Sequence, residues 1–198
     1  MDGREIDTSL KKTNLGSLIS FKGVFTSDTL PFIPYHFKPI ILISNTLDSK
    51  TDISVVGHWV AFYISFYPKK ELYFFDSFGF SPSSYNDYFS QYINLYHDSH
   101  FRILEFGRQI QPDLSNKCGL YVIHFTHFTS LNGFTNFIKC FQNKFILKKS
   151  ALRLNDTYVT KYFFNSVLKS KHCLPWKLRK KGKAHAFTYK ECLFHIQR

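Results

Sequence analysis

The chain has 198 residues, 44% of them hydrophobic and 19% aromatic, with 26 Lys and Arg against 14 Asp and Glu for a net charge of +12. That length suits a single domain able to bury its own core without disulfide or metal staples, and the composition excludes wholesale disorder. No run approaches the ~18 apolar residues of a membrane span, and the charged opening MDGREIDTSLKK lacks the apolar stretch of a secretory signal, so neither a membrane association nor secretion is expected. Residues 1–20 read as a short helix and a loop, anchored by Leu10, Leu15 and Leu18. Residues 39–45, PIILISN, read as a buried strand. Residues 54–67, SVVGHWVAFYISFY, are β-branched and aromatic and predict a long strand; Pro68-Lys69-Lys70 turns the chain, and residues 71–78, ELYFFDSF, return as the second arm of an antiparallel hairpin. A loop over 79–87, a helix over 88–96 and a strand over 101–110 follow, the strand stopped by Gln111-Pro112-Asp113. Residues 118–131, CGLYVIHFTHFTSL, are apolar almost all round and predict a buried helix, with Ser115 and Asn116 as cap-type residues ahead of it. Further helices are predicted over 134–147 and 155–168. The second of these places Val159, Tyr162, Phe163 and Val167 on one face and Asn155 or Asp156 at its cap. The order, strands and then helices, predicts an α+β domain with a mixed central β-sheet flanked by helices.

The charge is unevenly spread. Residues 1–138 balance to −1, whereas residues 139–198 carry +13 with only two acids among them. A basic third of that kind points to a polyanion, nucleic acid before an anionic membrane. Its densest run is Lys177, Arg179, Lys180, Lys181 and Lys183, in a predicted basic loop over 171–187. No base-reading motif accompanies the run, so phosphate contacts independent of sequence are expected. The same run also reads as a nuclear-import signal, or as a solvated tail. Cys118, Cys140, Cys173 and Cys192 are expected to be reduced. His172, Cys173, His185, Cys192 and His195 match no familiar zinc spacing, and no metal site is expected.

Cys118 lies where a loop meets the start of a buried helix. The positive end of the helix dipole favours a thiolate there, and Gly119 leaves room for a carbonyl to approach. A cysteine nucleophile needs a base, the base needs an orienting group, and the oxyanion needs donors. His58 on the first hairpin strand, Asp76 on the second and Gln111 seven residues before Cys118 supply those types in one arrangement. Taken singly, each has an ordinary structural explanation: a packed thiol, a core histidine, a turn aspartate, a loop glutamine.

The flanking residues distinguish these readings. Gly57-His58-Trp59, the run from Tyr73 to Phe80 (YFFDSFGF) and the run from Gln111 to Tyr121 (QPDLSNKCGLY) resemble the adenain family, the adenovirus maturation proteases. FKGVFTSDTLPFIP, starting at Phe21, resembles that family's N-terminal loop, and the likeness extends to about residue 133. The resemblance implies an adenain-like cysteine protease fold. It implies one domain over 1–198, with a catalytic core at about 21–133 and a basic, helix-containing third over 139–198. By that resemblance Cys118 is the nucleophile, His58 its base, Asp76 the orienting group and Gln111, with the Cys118 N–H, the oxyanion hole. Adenovirus enzymes commonly have Glu where this chain has Asp76; the related proteases of SUMO and ubiquitin-like modifiers have Asp. The implied activity is cleavage of viral structural precursors at small-residue, Gly-containing sites during virion maturation. The setting would be a virion and host nucleus or virus factory, of a DNA virus or a Maverick/Polinton-type element, with the enzyme a monomer.

Adenovirus enzymes are stimulated by DNA and by a short viral peptide that adds a strand and can form a disulfide. The basic third suits nonspecific DNA. The cysteine that would bind the peptide is absent: the register back from Gln111 puts His100 there, and no Cys precedes Cys118. Any activating peptide is therefore expected to bind without a disulfide. No other cofactor is implied. A protease of ubiquitin-like conjugates, and a protease fold retained as a DNA-binding packaging protein, stay open as alternatives.

Overall fold

The computed structural model describes residues 1–13, 15–52, 54–142 and 149–168. The chain opens with α1 (Gly3–Lys12), whose start is set by a reciprocal capping box: the Asp2 carboxylate accepts the Glu5 N–H at 2.7 Å and the Glu5 carboxylate accepts the Asp2 N–H at 2.8 Å. Ile6 and Leu10, four residues apart on one face, are fully buried. Leu10 anchors this helix as expected, whereas Leu18 is half exposed and Ile6 takes the place assigned to it.

Five strands follow: β1 (Ser20–Phe25), β2 (Ile40–Asn45), β3 (Trp59–Ser65), β4 (Glu71–Phe75) and β5 (Arg102–Glu105), lying side by side in chain order. The sheet is mixed: β1/β2 and β4/β5 are parallel, and β2/β3 and β3/β4 antiparallel. Helix α2 (Asp87–Asp98), capped by the Asn86 side chain on the Phe89 N–H, makes the crossover between β4 and β5. After β5 come α3 (Cys118–Asn132), α4 (Phe134–Gln142) and α5 (Lys149–Tyr162), the last running on into a π-helical turn over Phe163–Leu168.

The sheet is covered on both faces. Val60, Phe62 and Ile64 pack with Phe89, Tyr92 and Tyr96 of α2; Trp59, Ala61 and Tyr63 pack on the other side with α1, α3 and the later helices. Every residue of β3 is therefore buried, which is why its sequence reads as a continuous apolar run instead of alternating. Helix α3 lies inside the second layer, with eleven buried residues and the Phe125 ring stacked on Phe75 at 4.6 Å. No helix among the described residues is long and apolar enough to cross a membrane.

Several expectations need correction. β1 occupies residues read only as a loop; its pattern is broken by a bulge between Phe21 and Gly23, where Gly23 takes φ 134°. Residues 54–58 do not belong to the first hairpin strand: pairing begins at Trp59 opposite Asn45, and Val56 ahead of it is 94% exposed. β4 ends at Phe75, one residue before Asp76. β5 stops at Glu105 well short of residue 110, although the Phe106 N–H still reaches the Phe74 carbonyl. Ser115 and Asn116 do not cap α3, whose N-cap is Lys117 with no side-chain bond. Asn155 and Asp156 lie inside α5: Asn155 donates to the Ile110 carbonyl at 2.8 Å and Asp156 accepts from the Tyr121 hydroxyl at 2.9 Å. These side chains tie α5 to the loop and helix beside it, so the helix starts several residues earlier than cap chemistry suggests.

Candidate active site

The start of β3, the end of β4 and the start of α3 meet at one end of the sheet. His58 stands immediately before β3, its backbone tied to Thr46: the His58 N–H donates to the Thr46 hydroxyl at 3.0 Å and the Thr46 N–H to the His58 carbonyl at 2.8 Å. Because β3 and β4 are antiparallel, with Ala61 opposite Phe75, the next step of the register sets the residue after β4 against Val60, diagonally across from His58 on the same face. Asp76 is that residue. Its Oδ1 lies 2.6 Å from His58 Nε2.

The Asp76 carboxylate is 1% exposed and meets four donors. Oδ1 accepts from His58 and from the Phe78 N–H at 3.0 Å; Oδ2 accepts from the Phe80 N–H and the Tyr85 hydroxyl, each at 2.8 Å. The backbone turns sharply to bring those N–H groups round. Gly79 takes φ 75° there, and a Cβ on it would lie 2.5 Å from the Arg108 carbonyl carbon, so the turn requires glycine. The imidazole plane is held as well: Phe78 stacks on it at 4.6 Å and Tyr85 lies nearly parallel at 5.8 Å.

Cys118, a free half-buried thiol, opens α3 beside this pair. Burial by itself would lower the affinity of His58 for a proton. The hydrogen bonds to Asp76 and then to Cys118, with the charges of both, outweigh it and raise the pKa to about 9. Burial likewise works against a charged Cys118. The hydrogen bond and charge of His58, with the backbone N–H groups of Trp59 and Gly119, outweigh it and hold the thiol below its ordinary range. Both shifts favour the same state, a thiolate beside an imidazolium. Since Nε2 is taken by Asp76, Nδ1 is the ring nitrogen left for the sulfur.

Gln111 is fully buried and lies in the irregular segment between β5 and α3. Its Oε1 accepts the Ser77 hydroxyl at 2.6 Å, and its Nε2 donates to the Ser115 carbonyl at 2.7 Å. A carbonyl only accepts, so the amide orientation is fixed, and one Nε2–H remains beyond that bond. The Cys118 N–H is among those that a helix start leaves without an intrahelical acceptor, and Lys117 offers it no cap.

The four residues singled out from sequence therefore fall into two sets, His58 bonded to Asp76 with Cys118 electrostatically coupled to it, and Gln111 bonded to Ser77, joined through the adjacent positions 76 and 77. Sequence reasoning missed Ser77 and Tyr85; the only signals were a serine directly after the aspartate and a tyrosine nine residues on. A cleft of about 460 Å³, lined by Met1, Asn45, Val55, Val56, Gly57 and Trp59 among others, adjoins the residues on either side of His58 but is lined by none of the four candidate residues. Lys177, Arg179, Lys180, Lys181 and Lys183 lie outside the described residues, as does the cluster from His172 to His195. No protein-family model and no curated protein matches the chain.

Proposed function

We propose that this chain is a cysteine endopeptidase with an adenain-like fold. The carrying observation is that His58 is shared between Asp76 and Cys118, with the proton favoured on the imidazole and the thiol lowered. In this reading the Cys118 thiolate attacks a scissile carbonyl, forming a C–S bond. The oxyanion is received by the free Nε2–H of Gln111 and the Cys118 N–H. His58 then gives its proton to the leaving amine as the C–N bond breaks. It next takes a proton from water, which attacks the thioester; the C–S bond breaks, the acid is released and the thiolate–imidazolium pair is restored. Asp76 keeps the ring oriented and stabilises its charge throughout.

The adenain-like flanking runs support Gly-containing sites in viral structural precursors as the substrate class, and a virion, nucleus or virus factory as the setting. The +13 balance of residues 139–198 supports stimulation by nonspecific DNA. β5 is an edge strand, which suits a strand-adding activator held without a disulfide.

The test is labelling of the full chain with a Gly-terminated peptide electrophile, with and without DNA, mapped by mass spectrometry. Rapid labelling confined to Cys118, lost in His58→Ala, is expected, and Cys118→Ala is expected to abolish peptide cleavage. Surviving cleavage in Cys118→Ala sinks the assignment. Preference for a ubiquitin-like conjugate over Gly-containing peptides would move the substrate to host modifiers.

A further inference from the structure

The geometry points to Ser77 as the positioning residue of the oxyanion donor: its hydroxyl and carbonyl together fix where the Gln111 amide can aim. The inference rests on the endopeptidase reading of the site.

Ser77 and Gln111 are both fully buried. The Ser77 carbonyl accepts the Ile110 N–H at 2.8 Å and the Gln111 N–H at 2.9 Å, which pins the main chain that carries the amide. The Ser77 hydroxyl then donates to Gln111 Oε1 at 2.6 Å. One residue thus holds Gln111 at both its backbone and the far end of its side chain.

A primary amide has two N–H bonds in one plane, about 120° apart. The Ser115 carbonyl takes one of them at 2.7 Å. With Oε1 held by Ser77 and this N–H by Ser115, the amide plane is set, and with it the direction of the remaining N–H. Without the Ser77 hydroxyl, Oε1 loses its donor and the plane is free to turn about the bond to Ser115. An oxyanion donor works only when it is aimed beforehand at the place where charge develops. Ser77 supplies that aim without touching substrate. Its neighbour Asp76 performs the parallel service for His58, so the proton carrier and the charge stabiliser are held by consecutive residues.

A purely space-filling role for Ser77 predicts different behaviour, because alkylation and acyl transfer use different parts of the site. Iodoacetamide alkylates a thiolate by displacement at carbon and needs no oxyanion hole. Hydrolysis of a fluorogenic peptide amide ending in Gly-Gly does need one. In Ser77→Ala, kcat for that amide is expected to fall about tenfold, less than for outright loss of a donor, with KM within about twofold. Alkylation of Cys118 should be unchanged. Ser77→Thr, which keeps a hydroxyl, should recover most of kcat, and it preserves the test if the alanine variant folds poorly. In a Gln111→Ala background, Ser77→Ala should produce no further loss. Unchanged kcat in Ser77→Ala while Gln111→Ala is impaired overturns this inference alone. So does an equal loss of alkylation and hydrolysis, or a full further loss in the Gln111→Ala background. A Gln111→Ala chain with undiminished kcat overturns the assigned role of the amide, and this inference with it.

Discussion

Replacing Asp76 with Asn probes the pivot of the site, and its magnitude follows from the four donors that surround the carboxylate. Asparagine presents one oxygen and one NH2 group. If the NH2 takes the Oδ2 place, the Tyr85 hydroxyl can rotate to accept, but the Phe80 N–H is left facing another donor. If it takes the Oδ1 place, His58 can change tautomer and accept, but the Phe78 N–H is left in the same position. Either way one part-buried backbone N–H loses its acceptor, which costs about 1–3 kcal/mol. The remaining bonds also lose their charged partner, worth about 1 kcal/mol more. A destabilisation of about 2–4 kcal/mol is therefore expected, read from urea unfolding of the Cys118→Ala and Cys118→Ala/Asp76→Asn chains. In the chain with its thiol intact, the His58 titration should move down from about 9, because Asp76 is the largest influence raising it. A loss of stability below about 0.5 kcal/mol, or a His58 titration that stays near 9, would refute the reasoning.

Two further outcomes concern protons. Because the Cys118 thiol is held low, its alkylation by iodoacetamide should stay fast through neutral pH, unlike a free thiol of pKa about 8.5; under the proposed endopeptidase reading, peptide hydrolysis should fall above about 9, where His58 would lose the proton that the leaving amine takes in that reading, while alkylation should not. His124 and His127 are held neutral by burial, with pKa values lowered to about 3 and about 4, so the unfolded chain takes up their protons first as pH falls. Their stabilising contribution is present above the unfolded value of about 6.5 and is lost as pH drops toward their folded values. Between pH ~7.5 and ~5 each should account for about 2 kcal/mol of lost stability. The His124→Phe chain should show a pH dependence of unfolding shallower by about one proton near pH 5; an unchanged slope would contradict this.

The β3–β4 hairpin was legible because both arms are β-branched and aromatic and a Pro-Lys-Lys turn separates them. α3 was legible because fourteen nearly all-apolar residues are too long for a strand. β1 was not, since its bulge at Phe21/Gly23 breaks the alternation that announces a strand. The reach of the hairpin arms was overdrawn for a related reason: Val55, Val56 and Phe78 have strand-like side chains, yet the ladder ends at Trp59 and Phe75. The ladder ends there because the carboxylate of Asp76 gathers the following N–H groups to itself, which bends the chain out of the sheet. Local preference carries no record of that competition. The candidate site residues were picked out by type and flanking pattern, whereas Ser77 and Tyr85 join them only through contacts made across the fold.

The position of Asp76 and Ser77 just past β4 also explains how a candidate site drawn from three separate stretches of chain can be held together. β4 is paired on both sides, antiparallel to β3 and parallel to β5. Its end is therefore fixed relative to the strand that His58 precedes and to the strand whose continuation carries Gln111. Phe75, the last residue of β4, stacks on Phe125 of α3, which fixes the same strand against the helix that begins with Cys118. The reactive groups themselves sit on loops and a helix start, where backbone N–H groups are free for charge. Their relative placement comes from a strand with no exposed edge. This division suits a chemistry that needs unpaired donors near the sulfur and little movement between the groups that share a proton.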